Sequence, residues 1–439
     1  MLIRNATLAD GRSVDVRIEG ERIAAVGSRL SGGREDEEID ATGRLLLPGA
    51  IDVHVHFREP GFPHKETWKT GSRSAAAGGV TTVVDQPNTD PPTVDGPSFD
   101  EKAALAEESC VDYGINGGVT EEWEPDELFD RPIFALGEVF LADSTGEMGI
   151  GTGLFERAVE RAAEAGVVVT VHAEDATRFS EPVRERARDD PDAWSAYRTA
   201  EAEAAAVERA CEVGERSDAE IHIAHTSTPE GIDAAKRAGA TCEVTPHHLF
   251  LSREDLDELG TFGRMNPPLR SENRRRGVLE RVRDGRVDVV ATDHAPHTRE
   301  EKDAGIWDAP SGVPGVETML PLLLAEAGRG SLSYERVRDL TAANPARIFD
   351  LPRKGRVATG HNADLVLVDP EATREIRGAD LRSKAGWTPF EGRTGVFPEL
   401  TMVRGNVVYL AETLRVPDRE SMGPESGGFD EHTGRNVRE

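Results

Sequence analysis

Residues 45–58 read Leu-Leu-Leu-Pro-Gly-Ala-Ile-Asp-Val-His-Val-His-Phe-Arg. The apolar run predicts a buried strand that ends near His54 and His56. Because side chains alternate along a strand, the two imidazoles lie on one face, while Val53 and Val55 point the other way. Two imidazoles on one face can bind one metal ion, although a lone pair of this kind can also be purely structural. The rest of the chain must decide between these readings.

Three further strand-like runs end in an isolated histidine or aspartate. Residues 167–171 lead to His172, residues 221–224 lead to His225, and residues 287–292 lead to Asp293. Each run precedes turn or helix signals, as the βα units of a parallel barrel do. Taken singly, each histidine is better explained as a core or surface residue than as a metal ligand. Functional groups in such barrels lie at the carboxyl ends of strands, so together these residues predict one metal centre.

The order of elements along the chain predicts the fold class. Strand-like runs alternate with Ala- and Glu-rich helical stretches such as 153–165 and 197–213, which favours an α/β fold with a TIM-like (β/α)8 barrel. Short strands near both chain ends predict a small flanking β-sandwich domain built from both ends. We predict the N-terminal part of the β-domain at 1–48, the barrel at 49–351, the C-terminal part of the β-domain at 352–417 and a mobile acidic tail at 418–439.

Composition restricts the possible partners and compartment. The net charge is −29, and only 7 of the 52 basic residues are lysines, which favours adaptation to high salt and excludes a nucleic-acid partner. The acidic residues are spread along the chain, which argues against one docking face for a basic partner. The three cysteines are far apart, and neither a membrane span nor a signal peptide is indicated. We therefore expect a cytoplasmic protein without a membrane partner, and we leave open whether it forms a homo-oligomer.

Nine longer motifs are spread over nearly the whole chain. They are HVHFREPG at 54–61, HKE at 64–66, QPNT at 86–89, HAE at 172–174, HIAHTS at 222–227, CEVTPHH at 242–248, MNPPLR at 265–270, TDHAPH at 292–297 and SGVPGVET at 311–318. With these motifs the chain resembles dihydroorotase, a family of the amidohydrolase superfamily of metal-dependent barrel hydrolases.

The resemblance implies an activity and a set of site residues. The reaction is the reversible zinc-dependent cyclisation of N-carbamoyl-L-aspartate to L-dihydroorotate in pyrimidine (UMP) biosynthesis, with two Zn²⁺ ions per subunit, a metal-bridged hydroxide and Asp293 as general acid and base. Arg58 can hold the ring carboxylate bidentately, although an arginine there could also form a surface salt bridge. The implied metal ligands are His54, His56, Glu138, His172, His225 and Asp293, and the implied substrate contacts are Arg58, Asn88, Asn266, His297, Pro314 and Gly315.

One implied ligand departs from the family pattern. Many members bridge their two metals with a carboxylated lysine on a strand that reads roughly GLKxY, whereas this chain has Glu138 at the corresponding place. A glutamate supplies one negative charge and two oxygens, so we predict Glu138 as the bridging ligand. Its side chain is shorter than a lysine carbamate, which requires the strand to lie closer to the metals. Asp143 is the alternative carboxylate ligand, and a third reading has Glu138 only capping or pairing with an arginine.

Two other functions compete with this interpretation. An allantoinase or hydantoinase would share the metal ligands, but its substrates lack the ring carboxylate that Arg58 would bind. A catalytically silent relative could serve as a scaffold for another enzyme. Silent relatives typically lose metal ligands, whereas here the four histidines and Asp293 are all present.

Overall fold

The chain begins with a group of short, mostly antiparallel strands. The structure is a computed structural model that describes residues 1–32, 37–144, 147–186, 189–412, 414, 429 and 433–439. The first two strands pair antiparallel, as do the second and third, whereas the fourth and fifth pair with the first in parallel. These strands are β1 (Leu2–Leu8), β2 (Ser13–Glu19), β3 (Arg22–Gly27), β4 (Glu38–Asp40) and β5 (Leu45–Pro48).

The middle of the chain forms two parallel sheets. One contains β6 (Ala50–Val55), β7 (Val80–Asp85) and β8 (Asp112–Ile115), and the other contains β9 (Leu136–Phe140), β10 (Val169–His172), β11 (Ile221–Ile223), β12 (Thr241–Val244) and β13 (Val289–Val290). Isolated parallel bridges join Val55 to His294 and Gly117 to Leu136, where the two sheets meet. The predicted α/β class with parallel strands is therefore confirmed.

Helices alternate with the parallel strands. Several begin at a side-chain cap, such as Thr67, which accepts a hydrogen bond from the backbone N–H of Thr70. Among the described residues, no helix is both long enough and apolar enough to cross a membrane. The helices are α1 (Trp68–Ala77), α2 (Gly96–Ala106), α3 (Pro125–Phe129), α4 (Thr152–Ala165), α5 (Ala193–Tyr197), α6 (Ala200–Ser217), α7 (Pro229–Arg237), α8 (Pro246–Phe250), α9 (Leu256–Leu259), α10 (Glu272–Arg283), α11 (Arg299–Lys302), α12 (Met319–Gly328), α13 (Tyr334–Arg338) and α14 (Asn344–Ile348).

The last strands return to the first sheet. They are β14 (Leu365–Glu375), β15 (Thr394–Val403) and β16 (Asn406–Leu410). Strand β14 pairs antiparallel with β5, so strands from both chain ends form one eight-stranded mixed sheet. Its inner face has an apolar core that includes Ile3, Val16, Leu367 and Leu400. The order along the main path is β16-β15-β14-β5-β1-β2-β3, with β4 beside β1.

The end of the chain packs against the parallel sheet that contains β8. Most of the predicted tail at 418–439 lies outside the described residues. Residues 433–439 are described: the backbone N–H of Gly434 donates to Ser109 O at 2.9 Å, and that of Val437 donates to Tyr113 O at 2.8 Å. Asn436 is buried. These seven residues therefore do not extend into solvent as the predicted tail would, because their backbone groups pair with the β8 region.

Candidate active site

The predicted metal ligands meet at the carboxyl ends of the parallel strands. His54 is the penultimate residue of β6, and Glu138 lies in the middle of β9. His172 is the last residue of β10, whereas His225 and Asp293 follow β11 and β13. With His56 they are all at most 6% exposed. Parallel strands bring their carboxyl ends to one edge, which explains why residues so far apart in sequence meet here.

Glu138 lies between two sets of histidines. Its Oε1 is 2.9 Å from His172 Nδ1 and 2.5 Å from His225 Nε2, and its Oε2 is 3.3 Å from His54 Nε2. One candidate metal-binding group comprises His54, His56 and Glu138, and a second comprises Glu138, His172 and His225. The glutamate is thus shared by both groups, as a bridging ligand would be.

Asp293 completes the first group. Its Oδ1 is 3.0 Å from His56 Nε2 and 3.6 Å from His54 Nε2. Its carboxylate therefore faces the same ring nitrogens that a metal ion would use.

The ring nitrogens and carboxylate oxygens of the cluster are placed to bind cations, and not all of them have hydrogen-bond partners among themselves. His172 Nδ1 and His225 Nε2 are 3.0 Å apart, yet both face the same Glu138 oxygen. His54 Nε2 is buried and makes no hydrogen bond within the described part of the chain. Buried polar atoms normally have partners, and imidazole nitrogens converging on carboxylates form a typical divalent-metal donor set. The residues present therefore fit a two-cation centre.

The electrostatics of the cluster favour ionised carboxylates. Burial opposes the charged form of Glu138, but His225 and His54 hold its pKa well below the usual range. Burial also opposes ionisation of Asp293, but a hydrogen bond from His56 and the other histidines lower its pKa. Both carboxylates are therefore available at neutral pH to bind a cation or to accept a proton.

Glu243 on β12 orients two of the predicted metal ligands from outside the cluster, a role that sequence reasoning missed. Its Oε1 accepts from His54 Nδ1 at 2.6 Å and from the backbone N–H of His225 at 3.1 Å. Its Oε2 is 3.1 Å from His222 Nε2. Donation from Nδ1 leaves Nε2 of His54 free to bind a metal. The signal in the sequence was a glutamate between the apolar residues Cys242 and Val244.

His172 is held in a similar way. Its Nε2 lies 3.0 Å from Glu174 Oε2, which also accepts two hydrogen bonds from Arg198 at 2.9 and 2.6 Å. Burial alone would lower the pKa of His172, but its contacts with Glu138 and Glu174 raise it to about 9. The buried Arg198 thus holds Glu174 in place, and Glu174 orients His172, one of the predicted metal ligands.

A cavity adjoins the cluster of predicted metal ligands, and Arg58 is one of the residues that line it. It is 4% exposed, and its Nε donates to Pro296 O at 3.3 Å. Burial lowers its pKa to about 10, so it stays cationic at neutral pH. Its neighbours in the described ranges are Pro296 O and His297 Nε2, and its burial argues against the surface salt bridge considered above.

Three of the site residues have left-handed backbone conformations. The φ angles are +66° at Arg58, +32° at His225 and +47° at Asp293. Non-glycine residues in this region cost about 1–3 kcal/mol each and cluster at functional sites. Sequence alone offers no signal for this strain.

Asn88 and Asn266 also line the cavity. Asn88 Oδ1 accepts from His56 Nδ1 at 2.7 Å, so this asparagine orients a predicted metal ligand and its amide N–H groups stay available as donors. Asn266 Oδ1 accepts from Trp194 Nε1 at 2.9 Å, and its Nδ2 donates to Ser144 Oγ at 3.0 Å. Both asparagines therefore line the cavity, and hydrogen bonds to neighbouring side chains hold them in place.

His297 lies directly behind Arg58. Its Nε2 is 3.0 Å from Ser311 O and 3.2 Å from Arg58 Nη2, and its Nδ1 is 3.3 Å from Lys65 Nζ. Burial, followed by the charge of Arg58, holds its pKa well below the usual range. The ring is thus a neutral group that donates to Ser311 O and accepts from Lys65.

Pro314 and Gly315 do not line this cavity, whereas Ser311 and Gly312 do. The backbone N–H of Gly315 donates to His294 Nδ1 at 3.0 Å, and its carbonyl accepts from the Thr318 hydroxyl at 3.0 Å. Its polar groups are therefore used within the loop. A substrate contact from Pro314 and Gly315 therefore stays a prediction that the cavity lining does not support.

Asp143 is not brought to the ligand cluster. It is exposed, and its Oδ1 accepts from the backbone N–H of Gly149 at 2.8 Å. The neighbouring Ser144 lines the cavity instead. The geometry thus favours Glu138 as the carboxylate between the two histidine groups.

Comparison with known proteins agrees with this geometry. A sequence profile described as "Amidohydrolase family" matches residues 45–408. A dihydroorotase of Halobacterium salinarum is 66% identical over 440 residues, covering 100% of both chains. A dihydroorotase of Methanosarcina acetivorans is 44% identical and covers 98% of this chain and 94% of its own.

Solved structures resemble the whole fold. An L-hydantoinase (dihydropyrimidinase) from Arthrobacter aurescens superimposes with a TM-score of 0.91 at 26% identity, covering 99% of this chain and 98% of its own. A D-hydantoinase (dihydropyrimidinase) from a Thermus species gives a TM-score of 0.88 at 27% identity, covering 100% and 98%.

Proposed function

The chain belongs to the amidohydrolase family and groups within it with the dihydroorotases, and on this premise we propose that it interconverts N-carbamoyl-L-aspartate and L-dihydroorotate. The observation that carries the proposal is the cavity in which Arg58 faces the cluster built around Glu138. A buried guanidinium suits the ring carboxylate of dihydroorotate. The carboxylate–histidine cluster lies where the ring amide would be opened or closed.

The proposed metal centre holds two Zn²⁺ ions. His54, His56 and Asp293 would bind one ion, His172 and His225 the other, and Glu138 both. When bound, such ions lower the pKa of water from about 15.7 towards about 7 and polarise the carbonyl under attack. The fit of the donor set supports this assignment. His54, His56 and His172 each use one ring nitrogen to contact a partner outside the ligand set, and each keeps the other ring nitrogen towards the cluster.

The protein side chains have separate tasks in the proposed reaction. Arg58 binds the carboxylate and fixes the ring, and Asn88 can add a donor from the same wall. Asp293 accepts a proton from the attacking water and delivers it to the ring nitrogen as the C–N bond breaks. One water molecule is consumed in ring opening and released in ring closure, where Asp293 takes the proton from the nitrogen first.

We also propose that the eight parallel strands close into one (β/α)8 barrel at 49–351. The isolated bridges from Val55 to His294 and from Gly117 to Leu136 support this closure. Segments 1–48 and 352–417 would form the flanking β-domain, which the mixed sheet supports. The high negative charge and low lysine content support adaptation of the surface to concentrated salt.

A second candidate function is that of a hydantoinase-type enzyme. The observation that favours it is the fold similarity to two hydantoinases at TM-scores of 0.91 and 0.88. Hydantoin and dihydrouracil lack the ring carboxylate, so they offer nothing for Arg58 to bind. A silent scaffold is less well supported, because all six proposed ligands are present and clustered.

Substitution of Arg58 distinguishes these activities. We expect Arg58→Met to lower kcat/KM for L-dihydroorotate about a hundredfold, because two charge-assisted hydrogen bonds to the carboxylate are lost. Any turnover of dihydrouracil should remain within about threefold of the wild type. Steady-state kinetics with both substrates, in buffer containing zinc and high salt, provide the measurement.

Arg131→Met is the matched control, because Arg131 pairs with Asp100 at the surface and does not line the cavity. It should leave both substrates unaffected. Equal losses for the two substrates in Arg58→Met would contradict carboxylate recognition. An unchanged rate with dihydroorotate would contradict the proposed role of Arg58 altogether.

A further inference from the structure

Lys302, the last residue of α11, has an ammonium group that binds only main-chain carbonyls. The residue is 0% exposed. Its Nζ donates to Arg264 O at 2.9 Å, to Pro310 O at 2.9 Å and to Gly312 O at 3.1 Å. No carboxylate within the described residues pairs with it. All three N–H donors of the ammonium are therefore used by the backbone.

These carbonyls belong to two segments that wall the cavity. Arg264 lies two residues before Asn266, and Pro310 and Gly312 flank Ser311; Asn266, Ser311 and Gly312 all line the cavity. The backbone N–H of Gly312 also donates to Arg264 O at 3.0 Å. Lys302 thus joins the two segments at the point where they approach each other.

Residues 310–312, which Lys302 holds, are also linked to Arg58 on the cavity wall. Ser311 O accepts from His297 Nε2 at 3.0 Å, and that nitrogen lies 3.2 Å from Arg58 Nη2. Trp387 Nε1 donates to His297 O at 2.8 Å, and the Trp387 ring lies 5.8 Å from Lys302 Nζ. A displacement of residues 310–312 would therefore move His297, whose ring contacts the Arg58 guanidinium and whose neighbour Pro296 accepts a hydrogen bond from Arg58 Nε at 3.3 Å.

The residue type matters at this position. Only 7 of the 52 basic residues are lysines, so an arginine would be the usual cation in this chain. A planar guanidinium cannot direct three N–H bonds from one nitrogen to three converging carbonyls, whereas an ammonium can. Burial, followed by the charge of Arg264, holds the pKa of Lys302 well below its usual range, whereas the three carbonyls favour the protonated form. Burying this group without a counter-charge is costly, and native proteins accept such costs mainly at functional sites.

We propose that Lys302 is a positioning residue that sets the affinity of the site for the ring carboxylate, acting through residues 310–312 and His297 on Arg58. This inference rests on the proposed function. Lys302 does not contact the substrate or the metal ligands. Its removal therefore affects substrate binding more than the chemical step.

The first test is the pair of variants Lys302→Met and Lys302→Arg. We expect both to raise KM for L-dihydroorotate about tenfold or more, because buried carbonyls lose their donor or are forced apart, with kcat within about threefold of the wild type. Zinc content should not change. Lys236→Met is the matched control, because Lys236 pairs with Asp288 outside the cavity wall, and its KM should equal that of the wild type.

A milder variant covers the case in which Lys302→Met does not fold. Thr261 Oγ1 donates to Lys302 O at 2.6 Å, so Thr261→Val removes one hydrogen bond that holds the Lys302 backbone and leaves the ammonium group in place. We expect a rise in KM of about threefold, with kcat unchanged. A wild-type KM in Lys302→Arg, or a fall in kcat at an unchanged KM in the Lys302 variants, would overturn the inference. Absence of turnover by the wild type would instead overturn the proposed function.

Discussion

Glu138→Ala is expected to remove most of the bound metal and to lower kcat for ring opening by at least about a thousandfold. Both candidate metal-binding groups contain this carboxylate. Its loss would leave five histidine and aspartate donors without a shared anion between them. The cations would then repel each other without compensation, and at least one would dissociate.

Metal content and activity should be measured together for Glu138. Zinc is counted by emission spectroscopy after dialysis, and kcat is measured in the same preparation. Glu138→Gln keeps the side-chain shape but removes the charge, and it should lose metal as well. Glu201→Gln is the matched control, because Glu201 pairs with Arg274 at the surface. Two retained zinc ions with full activity in Glu138→Ala would refute the bridging role.

Asp293→Asn is expected to lower kcat about a thousandfold at saturating zinc, with a much smaller change in KM. An asparagine cannot accept the proton that ring opening releases. It can still offer an oxygen to the cluster, so zinc content at saturation should stay near that of the wild type. The variant thus separates proton transfer from metal binding, which Glu138→Ala cannot do.

The pH profile gives a second readout for Asp293. The histidines around this carboxylate lower its pKa, so the wild type should keep the ionised base down to acidic pH. The acidic limb of kcat that Asp293 causes should be absent in Asp293→Asn. A variant with normal kcat and an unchanged profile would show that another group carries the proton.

The parts of the site that depend on local pattern could be predicted from sequence. Strand alternation predicted that His54 and His56 share a face, and strand ends predicted His172, His225 and Asp293. The structure brings all five together with Glu138. The predicted helical stretches at 153–165 and 197–213 correspond to α4 and α6, with shifts of a few residues at their ends.

Features that depend on distant contacts could not be predicted in this way. The loop after His297 follows a path set by Lys302 and Arg264, so Ser311 and Gly312 line the cavity where Pro314 and Gly315 were expected. Residues 433–439 have the composition of a solvated tail, yet their backbone finds partners near β8. Strand β13 is shorter than the apolar run at 287–292 suggests, because pairing beyond Val290 is limited to isolated bridges.

The most direct test of the central claim is a parallel assay of the purified wild-type protein with zinc in high-salt buffer. The substrates are L-dihydroorotate, N-carbamoyl-L-aspartate, allantoin and dihydrouracil. We predict turnover of the first two alone, because only these carry the carboxylate that Arg58 can bind. Turnover of allantoin or dihydrouracil without turnover of dihydroorotate would contradict the proposed substrate, and inactivity of zinc-loaded protein towards all four would contradict the proposed enzyme.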